Sequence, residues 1–130
     1  MVRHRKRVFL VSLPGLVQEA TQATLMTQPD LVLVATASGA LSTTQLLPQL
    51  QADLLLVDAN LPLEEVRALL HWTRERCPHV QCVVMTMTSW QRDQALAWGA
   101  HATIQRANLG EQLETVINQI PDSNLQETPN

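Results

Sequence analysis

Few side chains in this sequence combine the type and the position that chemistry needs. Asp58 ends the most apolar run of the chain, Leu54-Leu55-Leu56-Val57, so a single carboxylate stands where a buried segment meets its following loop. A strand tip is an expected place for an active carboxylate; an ordinary structural carboxylate at a sheet edge is the competing reading. Cys77, His79 and Cys82 make a Cys-x-His-x-x-Cys cluster of zinc-type donors. That metal reading is weak, because Cys77 belongs to an inward helical stripe and Cys82 to a strand. His71 and His101 read as surface positions rather than ligands. No Ser-His-Asp constellation and no paired carboxylates stand at credible positions, so hydrolase chemistry has little support. No glycine-rich turn follows the first apolar run, which speaks against a dinucleotide or P-loop site.

The elements that must position these groups follow from the apolar periods. Residues 7–12 form a short apolar run typical of a strand buried on both faces. A helix is expected from about Pro14 to Met26, with a stripe through Leu16, Val17, Ala20, Ala23 and Thr24. Leu31–Val34 reads as a second strand after the Pro29-Asp30 turn. Ser38-Gly39 opens a second helix with apolar positions Leu41, Leu46, Leu47 and Leu50, which Pro48 ends or bends early. Leu54–Val57 is the central strand. Val66, Leu69, Leu70, Thr73 and Cys77 then fall on one face of a third helix. Val80–Thr86 is a fourth strand, and Ser89 is placed to cap a short fourth helix ending at Gly99. A weak fifth strand spans about Ala102–Gln105. Asn108 and Glu111 resemble a capping box for a last helix that turns Leu109, Leu113, Val116, Ile117 and Ile120 inward.

Five strand–helix repeats imply a doubly wound α/β fold, a parallel sheet with helices on both faces. Ligands in such folds bind beyond the carboxyl ends of the strands. The residues to weigh are therefore Ser12, Leu13, Asp58, Thr86, Thr88 and Arg106. Thr86 and Thr88 also suit a strand through β propensity alone.

A chain of 130 residues, 45% hydrophobic and 16% charged, fits one globular domain with ample core material. Those values exclude extensive disorder, collagen-like repeats and a disulfide scaffold. Two cysteines point to a reduced, cytoplasmic protein. No run approaches the roughly 20 apolar residues of a membrane span, and no secretory signal is expected at the N-terminus. Four of the nine basic residues, Arg3, Arg5, Lys6 and Arg7, come first, leaving five to face twelve acidic ones. Residues 1–6 read as a basic arm that keeps the first strand soluble; a contact with phosphate is the lesser alternative, and nucleic acid is not an expected partner. Residues 7–120 form the domain, and the polar residues 121–130 read as a disordered tail.

The chain resembles the receiver domain of two-component response regulators, in the subtype that precedes LuxR-type (NarL-type) DNA-binding domains. The resemblance covers about residues 7–120. It is carried by Arg7-Val-Phe-Leu-Val, Pro29-Asp30-Leu-Val-Leu-Val-Ala, Ala52-Asp53-Leu-Leu-Leu-Val-Asp58-Ala-Asn-Leu-Pro62, Val83-Val84-Met85-Thr86 and Ala95-Leu96-Ala97-Trp98-Gly99-Ala100. It implies a CheY-like (flavodoxin-like) five-stranded sheet in the order 2-1-3-4-5. It also implies that Asp58 occupies the phosphoacceptor position, that Thr86 matches the switch hydroxyl, and that Arg106 stands where the family has a phosphate-pairing lysine. Arginine keeps the charge but not the geometry. Where the family places two acids to hold Mg²⁺, this chain has Ser12 and Leu13. Glu64, Glu65 and Val66 stand where the family has a glycine; Glu64 or Glu65 reaching back as a ligand is the route by which a metal site would be rebuilt. A second expectation is that Arg106 pairs with Asp58 outright.

The expectation is thus a stand-alone pseudo-receiver, not an enzyme, without a cofactor, that signals by binding a protein. A histidine kinase or a transcription factor is the kind of partner implied, as is a homodimer through the face of the fourth helix, fifth strand and fifth helix. Trp72 lies off the inward stripe of the third helix, while Trp90 and Trp98 flank the fourth; these are the candidate interface residues. Against this, Trp98 also suits the space left by Ala95 and Ala97. The alternatives are an active regulator phosphorylated on Asp58 with Mg²⁺, and, more remotely, a small nucleotide- or metabolite-binding domain.

Overall fold

A computed structural model describes residues 5–120. Strands and helices alternate: β1 (Lys6–Val11), α1 (Leu16–Met26), β2 (Leu31–Ala37), α2 (Ala40–Leu46), β3 (Leu54–Asp58), α3 (Leu63–Arg76), β4 (Gln81–Thr86), α4 (Ser89–Ala97), β5 (Ala102–Gln105) and α5 (Leu109–Gln119). Single 3₁₀ turns follow α2 and β5. The five strands pair in parallel, as the alternating pattern predicts, in the order β2-β1-β3-β4-β5 that the receiver resemblance implies. The register between β1 and β2 slips at Val8/Phe9.

Two hydrophobic layers sandwich the sheet. Phe9, Val11, Leu55, Val57, Cys82 and Val84 meet the helices α2, α3 and α4. Their sheet neighbours Val8, Leu10, Leu54, Leu56, Val83 and Met85 point the other way, toward α1 and α5. Successive strand residues alternate faces, so a strand buried on both is apolar along its length; Leu54–Val57 of β3 are fully buried, and the buried Asp58 stands at the strand's end. The stripes of α3 (Val66, Leu69, Leu70, Thr73, Cys77) and α5 (Leu109, Leu113, Val116, Ile117) are buried as their spacing predicts, and Ile120 packs partly.

Elsewhere the structure corrects the sequence. Helix α1 turns Thr21 and Leu25 inward, while Leu16, at 84% exposure, and Val17, Ala20 and Ala23 face solvent. In α2 the buried side chain is Thr43, with Leu41 and Leu46 exposed. Each buried helical threonine satisfies its hydroxyl inside its own helix. Thr21 donates to the Val17 carbonyl at 2.8 Å, Thr43 to Gly39 at 2.7 Å and Thr73 to Leu69 at 2.8 Å. With the hydroxyl bonded, only its methyl and Cβ face the core, so burial costs little.

The caps differ as well. Thr88, not Ser89, caps α4, its Oγ1 accepting from the Gln91 N–H at 3.1 Å. No capping box forms at α5: Asn108 Nδ2 donates to Gln105 Oε1, and Gln112 Oε1 accepts from the Gln105 N–H. Pro48 ends α2 as expected, and Gly99 takes φ +103° after α4, a conformation that favours glycine. Lys6 lies within β1 and is buried, so the strand begins inside the expected arm. Residues 1–4 and the expected tail, 121–130, lie outside the described residues. None of the helices among the described residues is long and apolar enough to cross a membrane.

Candidate functional site

The carboxyl ends of β1, β3, β4 and β5 bring Ser12, Asp58, Thr86 and Arg106 to one end of the sheet. Asp58 is 3% exposed. A carboxylate that deep must find donors for both oxygens, and it does. Oδ1 accepts from Arg106 Nη2 at 2.5 Å and from the Asn60 N–H at 2.9 Å, and Oδ2 accepts from Ser12 Oγ at 3.4 Å. The charge-assisted bond to Arg106 is the short, strong member of the set.

The guanidinium is held on several sides. Nη1 donates to Met87 Sδ at 2.9 Å. With its amide oxygen turned toward the arginine, Asn60 accepts from Nη2 at 3.1 Å and from Nη1 at 3.2 Å. Among the described residues, Arg106 Nε is a buried N–H without an acceptor. The planar guanidinium fork carries five donors, and one of them is left over. Arg106 thus serves Asp58 as a standing counterion.

The other predicted positions divide. Ser12 is fully buried, its oxygen on Asp58, and Gln18 Nε2 donates to its carbonyl at 3.0 Å. Leu13 is 47% exposed at the rim. Thr86 is buried at the end of β4, and among the described residues no hydrogen bond joins it to Asp58. Glu65 does not reach back: its Oε1 accepts from the Ala40 N–H at 3.0 Å and ties α3 to the start of α2. Glu64 is exposed. The sequence reading missed Asn60 and Met87. Both sit in the loops just past strand ends, where the rule that singled out Asp58 and Thr86 also points.

The fold's usual Mg²⁺ does not fit this donor set. Mg²⁺ takes hard oxygen ligands, with carboxylates to balance its charge. Here there is one carboxylate, a neutral hydroxyl and an isobutyl group, and one carboxylate oxygen is already held by a fixed cation. Among the described residues no cluster of three His, Cys, Asp or Glu side chains could hold a metal. The Cys77-x-His79-x-x-Cys82 spacing makes no site either, since both thiols are buried and His79 is exposed. Burial pushes the Cys82 thiol up to about 12, only partly offset by a hydrogen bond with Thr73. His101 is exposed, and its Nδ1 accepts from the Cys82 N–H at 2.9 Å.

Of the tryptophans, Trp72 and Trp98 are half-buried against the core on the α2–α4 side. Trp98 also lines a groove of about 500 Å³ with His71, Arg74 and Glu75. Trp90, on α4, is 53% exposed, as is Leu96 at 47%. The described basic residues at the start of the chain sit at the opposite end of the sheet, Arg5 on the Pro29 carbonyl and Arg7 on that of Gln51.

No family model and no curated protein matches this sequence. Solved structures match over nearly its whole length. The non-phosphorylated receiver domain of the stress response regulator RcsB from Escherichia coli is 16% identical, with a TM-score of 0.76 over 98% of this chain and 100% of that one. The apo REC domain of RcsB from Salmonella enterica serovar Typhimurium gives 0.77 at 16% identity, covering 95% and 100%. The signal receiver domain of NarL from Mycobacterium tuberculosis gives 0.74 at 16% identity, covering 88% and 98%. Against two longer RcsB chains from Salmonella typhimurium, this chain spans 64% and 62% of their length. Identity this low shows the fold: the chain has the CheY-like receiver architecture.

Proposed function

We propose that this chain is a pseudo-receiver, a protein-interaction module of signal transduction or transcriptional control that works without phosphorylation of Asp58. The observation that carries the reading is the buried Asp58–Arg106 pair, closed at 2.5 Å, beside Ser12 and Leu13. Phosphoryl transfer to a carboxylate brings anions together, and receivers need a metal to neutralise that charge. This site offers a counterion already spent on the acceptor and no ligands for the cation.

A module without that chemistry acts through contacts. Trp90 and Leu96 place an exposed aromatic and an exposed aliphatic side chain on α4. Exposed tryptophan is a frequent interaction anchor, so the α4–β5–α5 face is the surface proposed to meet a protein partner or a second copy. Titration with Mg²⁺ and beryllium fluoride, followed by amide spectra and tryptophan emission, tests the reading. No saturable change is expected. A saturable change in the wild type that is absent from Asp58→Asn would instead make the chain an active, phosphorylatable regulator.

A further inference from the structure

Of the acceptors that hold Arg106, the sulfur of Met87 is the one whose chemistry an oxidant can change. It accepts from Nη1 at 2.9 Å in a residue that is 61% exposed, so the side chain that holds the guanidinium is also open to solvent. The Met87 N–H donates to Gln91 Oε1 at 2.7 Å, which fixes the backbone where α4 begins. The other described sulfur atoms near the sheet are shielded: Met85 and Cys82 are fully buried and Cys77 nearly so. Met26 is exposed, but at the end of α1 remote from Arg106.

We propose that Met87 is a peroxide-sensitive modification site whose oxidation to the sulfoxide tightens the hold on Arg106 and so sets the state of the Asp58–Arg106 pair. The co-reactant is hydrogen peroxide or an alkyl hydroperoxide. A sulfur lone pair attacks the terminal peroxide oxygen, the S–O bond forms and the O–O bond breaks. The proton on the oxygen that joins sulfur passes to the departing oxygen, which leaves as water or an alcohol. Sulfur loses two electrons and the peroxide gains them.

A thioether is a weak acceptor, whereas a sulfoxide presents a strongly polarised oxygen. The unbranched, exposed methionine side chain can turn that oxygen onto Nη1. Sulfoxide reduction restores the original contact. The inference rests on the pair standing in the resting protein, as proposed above, and supplies an input to this site that needs no phosphoryl group.

The test treats the full chain with hydrogen peroxide, locates added oxygen by peptide mass spectrometry, and follows the Arg106 Nε–Hε signal by NMR. Met87 and Met26 are expected to gain oxygen and Met85 to remain unmodified. The Arg106 signal shifts in the wild type and stays in place in Met87→Leu, where Met26 still oxidises. Met87→Gln, with a permanent amide oxygen, shows a displaced signal without peroxide. Failure of Met87 to oxidise, an unmoved Arg106 signal after oxidation, or the same shift in Met87→Leu overturns the proposal. An Arg106 signal indifferent to Asp58→Asn would instead remove the pair itself, and phosphorylation of Asp58 would remove the pseudo-receiver reading alone.

Discussion

Asp58 and Arg106 decide what this site can do, and their energetics are those of a buried pair with one solvent-facing rim. The Arg106 side chain is 21% exposed and that of Asp58 5%. Removing one partner of a buried pair strands the other without compensation. Water at the rim relieves part of that cost, so Arg106→Ala is expected to destabilise by about 1–3 kcal/mol in urea denaturation. In a double-mutant cycle, Asp58→Asn should lose most of its own effect once Arg106 is alanine, because the two side chains spend their charge on each other. Additive effects would mean that they are independent. The pairing was legible as one of two options from an arginine at a lysine position. The distances to Ser12, Asn60 and Met87 were not, because they depend on how three loops converge.

At the scale of elements, apolar spacing read α3 and α5 correctly, misread α1, and was half right around α2, where Leu47 and Leu50 pack inward but Leu41 and Leu46 are exposed. The stripe of α5 is built of Leu, Val and Ile, and in α3 Val66, Leu69 and Leu70 fix the face that also carries Thr73 inward, so hydrophobicity and burial coincide. In α1 and α2 the inward residues include Thr21 and Thr43, whose hydroxyls are bonded to carbonyls four residues back and are invisible to a count of apolar side chains. Leu16 and Leu41 are the matching errors, apolar but outside. The contrast can be measured. Leu25→Ala, at a fully buried position, is expected to cost about 2–5 kcal/mol. Leu16→Glu, at an exposed one, should change stability by no more than about 0.5 kcal/mol. A large loss from Leu16→Glu in chemical denaturation would show that α1 packs through the face the sequence first suggested.

Over the whole molecule, two apolar layers on a parallel sheet leave little polar material inside, and the alternation of elements implies the parallel pairing, while the strand order came from the resemblance. That is why the architecture was readable in a sequence sharing only 16% identity with proteins of the same fold. The core also carries a titration. The Cys82 thiol is raised to about 12 in the folded chain, chiefly by burial, from an ordinary value of 9.0. The unfolded chain therefore loses this proton first as pH rises. The stability linked to Cys82 is fully present below pH 9 and is lost between about 9 and 12, so urea midpoints should fall across that window. The fall should be shallower in Cys82→Val.

Asp58 is proposed not to accept a phosphoryl group, and intact-mass spectrometry after incubation with Mg²⁺ and acetyl phosphate tests this. The mass of the wild type should stay unchanged at every time point. A species heavier by one phosphoryl group, lost in Asp58→Asn, would contradict it.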